Sequence, residues 1–429
     1  MFPLRRLGVF TIKAGCLAGI VVGIVWNLRF GAADLLGRRN QADSTRRAMR
    51  LLPANGAYPA QLADEIFASD SASARSLLQR AVQLNRYDAS SWIQLGLLCE
   101  AGNDLPRAEE ALLRAASVDS TFLPSWSLAN FYFRHENVAR FWYWAERAAQ
   151  MVPDDATSLF RLAWYVRPSV AEIEYRLQMK KPAVEGQFIN FLVSQGDPAA
   201  VTEAALHLLK ASDKDSVETL LGACEWLIEE KRPELAWPLW NGLATRHLIA
   251  YAPLANGSAG PVTNGTFDKS PISRGFDWHL STVEGVSSFL NVSPNALGFE
   301  FSGHEPDSVM LMNQVARVQA QKRYALIVDY TTGGISPGSG LEWLVMDDRS
   351  GAILARTGSL SAEHGGKAFA CFTGPDDSAF VNLSLLYQRR PGTVRAEGKL
   401  ALQEVRLSGA KAEDCGEKIS TSGADSPEF

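Results

Sequence analysis

Two rhythms of apolar and polar positions divide the chain. Up to about residue 245 apolar residues recur at helical spacing, and after about residue 263 they fall in short runs separated by Gly, Pro and Asp. The helical rhythm is clearest over Ala89–Ser120. There Trp92, Leu95, Gly96 and Cys99 form one stripe, Ala108, Ala111, Leu112 and Ala115 form a second, and Gly102-Asn103 separates them. This spacing predicts a helical hairpin. Gly96 and Ala108 are small where two helices approach closely, and the larger apolar residues form a face that neither helix can bury alone. Such a hairpin needs neighbours on both sides.

Neighbours with the same pattern flank it. Ala74, Leu78 and Ala81 precede it by one period, Trp126, Ala129, Phe133, Ala145 and Ala148 follow, and a worn copy begins near Ala156 with Leu159, Leu162, Ala163 and Val166. With Ala89 as position one, the large and small residues fall at the packing positions of a repeat of about 34 residues. The chain here resembles the tetratricopeptide repeat (TPR) family, which implies an all-α solenoid that holds a protein partner. Degenerate helix pairs follow over residues 188–195 with 198–210, then 217–230 with 233–243, as expected of irregular or capping repeats.

Ahead of the repeats, Arg5, Arg6 and Lys13 precede an uncharged apolar run, residues 14–28. Its length lies between a signal-peptide core and a short membrane span. Gly31-Ala32-Ala33 offers small residues for cleavage. Arg29 beside the run and the lack of a clean A-x-A site favour an uncleaved anchor, with Trp26 at the boundary. Basic residues on both flanks leave its orientation open. Residues 34–52 are expected to continue as a basic amphipathic helix offering Arg46, Arg47 and Arg50 to anionic head groups, although a solvated face fits equally.

Residues 249–263 are rich in Gly, Pro, Ala and Asn and mark a boundary. Strands are predicted beyond it over 287–290, 296–302, 309–319, 324–331, 341–347, 368–373, 380–388 and 399–407, in an antiparallel sandwich. The segment carries Asn264-Gly265-Thr266-Phe267-Asp268, Gly275-Phe276-Asp277-Trp278, Met312-Asn313-Gln314-Val315 and Arg323-Tyr324-Ala325-Leu326. In that order these resemble jelly-roll carbohydrate-binding modules and related galactose-binding-like domains. The resemblance covers about residues 262–408 and implies a jelly-roll sandwich with a possible glycan site. It also implies that a structural calcium can sit near Asp268, though no Asp-rich run accompanies that residue, and neither a metal nor a cofactor is expected.

The expected organisation is multidomain: an anchor over residues 1–33, a basic juxtamembrane segment over 34–59, TPR-like repeats over 60–248, a linker over 249–262, a sandwich over 263–408 and a disordered tail over 409–429. Sugars are held by flat aromatic rings with polar side chains beside them. Trp278, Trp343, Tyr330 and Tyr387 are the candidate rings. Gln314, Asp329, Glu342 and Arg389 are the candidate polar partners, and residues 332–340 a candidate lip. Trp343 alternates with Leu341 and Val345, and Trp278 stands where such modules bury a tryptophan, so both also fit a core. On the solenoid, the repeat register lines Ile93, Leu97 and Glu100 with Ser127, Phe131 and Arg134, and these with Phe160, Trp164 and Arg167. Arg134 and Arg167 beside aromatics suit an extended anionic peptide or acidic glycan, while inter-helix packing and solvation are the plainer account of the same residues. The dense run Phe141-Trp142-Tyr143-Trp144 cannot all be buried on one helix face.

Composition narrows the function classes. A net charge of -5 provides no broad basic field, so no nucleic-acid partner is expected. Among 6 histidines none shows metal-ligand spacing, and no phosphate loop, nucleophile elbow or dinucleotide fingerprint occurs. The 5 cysteines form no close-spaced framework, and a Cys371–Cys415 bond is conceivable only in an oxidising compartment. These features point to a non-catalytic, membrane-anchored scaffold of the bacterial cell envelope, extracytoplasmic in its soluble part. Its solenoid would hold a protein and its sandwich a glycan, in surface-polysaccharide assembly or export. The alternatives are a polysaccharide-modifying enzyme with its site in the sandwich and a purely protein–protein scaffold.

Overall fold

The computed structural model describes residues 4–152, 155–179, 181–211, 214–254, 262–292, 295–336, 338–361, 365–411 and 415. Contacts group the chain into two compact units, Met1–Met179 and Lys180–Phe429. The division falls well before the boundary at 249–262 read from the sequence.

The first unit is all-α: α1 Leu4–Gly37, α2 Ala42–Leu51, α3 Ala57–Ile66, α4 Ser71–Leu84, α5 Ala89–Ala101, α6 Leu105–Val118, α7 Phe122–Arg134, α8 Val138–Gln150, α9 Thr157–Val166 and α10 Val170–Leu177. Short polar side chains start several of these helices by accepting from free backbone N–H groups. Asp70 takes Ser73 N, Asp88 takes Ser90 N and Ser91 N, and Asn137 takes Arg140 N. The α5–α6 pair is the predicted hairpin. Leu95, Cys99, Ala108, Leu112 and Ala115 are buried, and a methyl on Gly96 would lie 2.7 Å from Leu112 Cγ. Glycine is therefore required there by proximity. Near the N-terminus, the single helix expected over 34–52 is instead broken. α1 runs unbroken to Gly37, the chain reverses over residues 38–41 with Asn40 at a φ of 47°, and α2 begins at Ala42.

In the second unit, α11 Pro182–Gln195, α12 Pro198–Ala211, α13 Val217–Glu229 and α14 Pro233–Thr245 precede ten strands among the described residues. These are β1 His279–Leu280, β2 Val286–Val292, β3 Asn295–Ser302, β4 Ser308–Arg317, β5 Arg323–Gly333, β6 Leu341–Asp347, β7 Ile353–Arg356, β8 Gly366–Thr373, β9 Phe380–Gln388 and β10 Glu397–Gly409. They form two antiparallel five-stranded sheets of order β1-β4-β9-β6-β7 and β2-β3-β10-β5-β8, and the chain passes repeatedly from one to the other as in a jelly roll. All eight predicted strands are present. The two unpredicted ones, β1 and β7, are short edge strands of the first sheet, too brief to carry an alternating pattern. The sandwich core contains Phe267, Trp278, Phe299, Trp343, Leu383, Tyr387 and Leu402.

A second apolar layer ties α13 and α14 to the sandwich. Val315, Leu344 and Phe380 lie on the opposite face of the first sheet from the core side chains, yet they are buried. The Phe380 ring lies 6.0 Å from Trp237 of α14 and 6.1 Å from Phe276, and the Arg317 guanidinium lies 5.0 Å from the Trp237 ring. A polar seam borders this layer. Glu225 accepts from Gly275 N at 2.6 Å and pairs with His279 at 2.9 Å, Tyr251 Oη donates to Asp277 at 2.7 Å, and Lys231 pairs with Asp348 at 3.3 Å. Cys371 and Cys415 are disulfide-bonded. Most of the tail expected to be disordered lies outside the described residues.

Candidate functional site

The repeat register places Glu100, Arg134 and Arg167 at equivalent positions of α5, α7 and just after α9, with Leu97, Phe131 and Trp164 one turn earlier. Arg134 grips the Glu100 carboxylate with Nε and Nη2, each at 2.7 Å, and Nη1 donates to Asn130 at 3.2 Å. His135 Nε2 meets the same carboxylate at 3.0 Å, and its ring lies 4.6 Å from Phe131. Burial would raise the Glu100 pKa, but the hydrogen bonds and charges of Arg134 and His135 outweigh it and hold the carboxyl below its ordinary value. Of the two guanidiniums expected from the sequence, Arg134 is half of an inter-repeat ion pair, and both it and Arg167 are exposed.

The aromatics of this column are largely packing residues: Phe131 and Phe160 are buried and Trp164 is half-buried. Leu97, at 45% exposed, is the apolar side chain of the column that faces outward. Beside Phe131 opens a recess of about 280 Å³ lined by Leu105, Glu109, Tyr132, His135 and Arg140. Tyr132 Oη donates to Glu109 at 2.7 Å and accepts from Arg140 at 3.0 Å, while Arg140 also bonds Glu109. Burial first, then Glu109, pushes the Tyr132 hydroxyl up to about 12. Sequence reasoning missed this cluster, because Glu109 on α6 and Arg140 on α8 lie off the first-helix column that the repeat register picks out. Of the run 141–144, Phe141 and Trp142 are buried while Tyr143 is exposed, and Arg147 stacks 5.5 Å from both the Tyr143 and Trp144 rings.

In the sandwich the candidate sugar platform is corrected. Trp278, Trp343, Tyr387 and Tyr330 lie in the core and present no ring face to solvent. Trp278 meets Trp343 edge-on at 5.7 Å, and its Nε1 donates to Asn264 O at 3.2 Å. Tyr387 Oη accepts from Ala396 N at 3.1 Å, and Tyr330 Oη accepts from Ser361 N at 3.3 Å. Gln314 is fully buried, with its amide clamping the Thr263 backbone through two bonds of 2.9 Å. Alternation in a two-layer sandwich turns Trp343, Tyr387, Tyr330 and Gln314 inward together, and the loop just before β1 carries Trp278 into the same core. The polar candidates are engaged on the surface: Asp329 with Lys367 at 3.3 Å, Glu342 with Arg356 at 2.6 Å, and Arg389 with Asp307 at 2.9 Å. Asp268 accepts from Thr266 and Asn295, and among the described residues no three His, Cys, Asp or Glu side chains group as metal ligands. Within the lip at 332–340, Thr332 and Ile335 are buried and residue 337 lies outside the described residues.

The second sheet keeps an outward face carrying aromatic rings. Phe289 and Phe369 are 37% and 42% exposed on its opposite edge strands, and a methyl on Gly298 would collide with the Phe289 ring. Ala401 and Thr331 continue the Gly298 row across the sheet.

No family model and no curated protein matches the chain. Among solved structures it is similar to MamA, at 20% identity over 26% of this chain and 66% of that one, with a TM-score of 0.24. A CBM4 structure matches at 16% identity over 35% of this chain and 99% of that one, with a TM-score of 0.28. YrrB, a TPR protein with an unusual peptide-binding site, matches at 11% identity over 48% of this chain and 93% of that one, with a TM-score of 0.26.

Proposed function

We propose that this chain is a non-catalytic, membrane-anchored scaffold whose solenoid holds a protein partner and whose sandwich holds a glycan, with its soluble part in an oxidising compartment of the bacterial cell envelope. Surface-polysaccharide assembly or export is the process that joins these elements. The observation that carries the reading is the column of first-helix residues in which Leu97 and Arg167 remain exposed while Glu100 and Arg134 lock consecutive repeats together. An exposed apolar contact and a cation, held on rigid helices, suit an extended acidic peptide. Replacing Leu97 and Arg167 together by Glu is expected to abolish co-purification of the partner seen with the wild-type chain from solubilised membranes. Equal recovery with both proteins would reject the groove.

The glycan reading moves from the buried rings to the outward face of the second sheet, where Phe289 stands exposed beside the Gly298, Ala401 and Thr331 row and Phe369 stands exposed on the opposite edge strand. On a glycan array, Phe289→Ala with Phe369→Ala is expected to remove binding by the full chain. Binding that persists in this variant would place the glycan elsewhere, and absence of wild-type binding would favour the purely protein–protein scaffold.

Burial pushes up two carboxyls of the second unit, Asp277 and Asp348, which hydrogen-bond to Tyr251 and Lys231 respectively. Anchoring is supported by α1, whose stretch Gly19–Gly37 is long and apolar enough to cross a membrane. Its last turns are core residues of the first hairpin, Ala33 being fully buried, so removal at Gly31-Ala32-Ala33 would cut a packed helix. Intact-mass measurement of the membrane-extracted protein is expected to show no loss of the first 33 residues. The Cys371–Cys415 bond supports the oxidising compartment.

A further inference from the structure

The base of the solenoid, where α1 leaves it, gathers arginines from three helices around one turn. α1 and α2 form an antiparallel hairpin, because Arg29 Nη2 of α1 donates to Leu51 O at the end of α2 at 2.8 Å after the chain has reversed over 38–41. The following turn, residues 52–56, is therefore close to Arg29, at the end of the apolar run in which Leu17, Ile24 and Leu28 stand exposed. Arg80 of α4 donates to Pro53 O at 3.4 Å, and Asn85 packs against Gly56. Arg50, in the last turn of α2, and Arg86, just after α4, are exposed near the same turn. Aromatics accompany the cations: Trp26 lies 5.7 Å from the Arg29 guanidinium, and Tyr87 is 76% exposed.

The acidic side chains of this region are placed differently. Asp43 lies in the first turn of α2, far from Arg50, and pairs with Arg46 at 2.9 Å, while Asp34 pairs with Arg38 at 2.8 Å. Asp88 caps α5. We propose that Arg29, Arg50, Arg80 and Arg86 form a binding site for the phosphate head groups of anionic phospholipids, which holds the solenoid base against the membrane surface. Guanidinium forks match phosphate oxygens, and Trp and Tyr favour the depth of the head groups. The inference rests on α1 being an anchor.

The test is native mass spectrometry of the full chain in neutral detergent, with phosphatidylglycerol and phosphatidylcholine as probes. The wild type is expected to retain phosphatidylglycerol preferentially and to lose that preference as salt rises. Arg50→Gln with Arg86→Gln should reduce it by about fivefold per arginine removed. Arg50→Lys with Arg86→Lys, which keeps the charge but loses the fork, should fall between the wild type and the Gln variant, and a control in which Arg114 and Arg161 of other helices become Gln should keep the preference. Equal retention of both lipids by the wild type, or an unchanged preference in the double Gln variant, would overturn the site. Alkaline extraction separates the two readings: release of the wild type from membranes removes the anchor itself, whereas a retained chain indifferent to lipid charge removes only the head-group site.

Discussion

At the scale of residues, burial decides what the aromatics and carboxylates do. Trp278 and Trp343 meet in the sandwich core, so truncating either to Ala is expected to lower stability by about 3–5 kcal/mol. A chemical-denaturation midpoint tests this, and a fully stable variant would contradict the core assignment. Their sequence context, alternation with Leu341 and Val345, already fitted the core as well as a ligand face, and sequence alone could not say which sheet face was covered. Asp277 offers a pH test. Burial pushes its carboxyl up against the hydrogen bonds of Ile272 N, Tyr251 and Trp278 N. The folded state therefore holds its proton more tightly than the unfolded state. Its contribution to stability is full below the ordinary Asp range near 4 and is lost as pH rises through the raised folded value. Asp277→Asn should remove that decline from a series of urea midpoints. Glu100 works in the opposite sense: its lowered pKa stabilises above the ordinary Glu range, and the benefit is lost as pH falls through the folded value.

At the scale of elements, the regular parts were legible and the junctions were not. The α5–α6 hairpin follows from Gly96 against Leu112, and eight strands follow from alternation. The break over 38–41 was missed although Gly37 ends α1 just before it, because the residue that takes the left-handed conformation is Asn40, not a glycine. The layer between α14 and the sandwich was also hidden, since no local pattern reports that Phe380, Val315 and Leu344 are buried on the side away from the core. A fragment beginning at Val262 would expose these residues. It should therefore unfold at lower denaturant than one beginning at Lys181, or aggregate, and equal behaviour would show the layer to be dispensable. Within that layer Gly275 has a φ of +60°, and a methyl there would lie 2.8 Å from the Trp240 ring. Gly275→Ala should destabilise the second unit by at least roughly 1–2 kcal/mol of left-handed strain, read as a lower denaturation midpoint.

At the scale of the whole molecule, a long apolar helix precedes a solenoid whose repeats are bolted by opposite charges, and a jelly roll is tied to the helix pair α13–α14. The Cys371–Cys415 bond closes 44 residues of separation, and opening a loop of that size is expected to cost about 4 kcal/mol of stability. Alkylation of protein from intact cells should leave both cysteines unlabelled until a reductant is added. The proposed role requires the first-helix face of the solenoid to receive a protein partner. The most direct measurement is photo-crosslinking in cells from a probe residue at Leu97, with a second probe at Leu113 on α6 as the control. One discrete adduct is expected from position 97, lost when Arg167 becomes Glu, and none from position 113. No adduct at 97, or equal adducts from both positions, would contradict the proposed role.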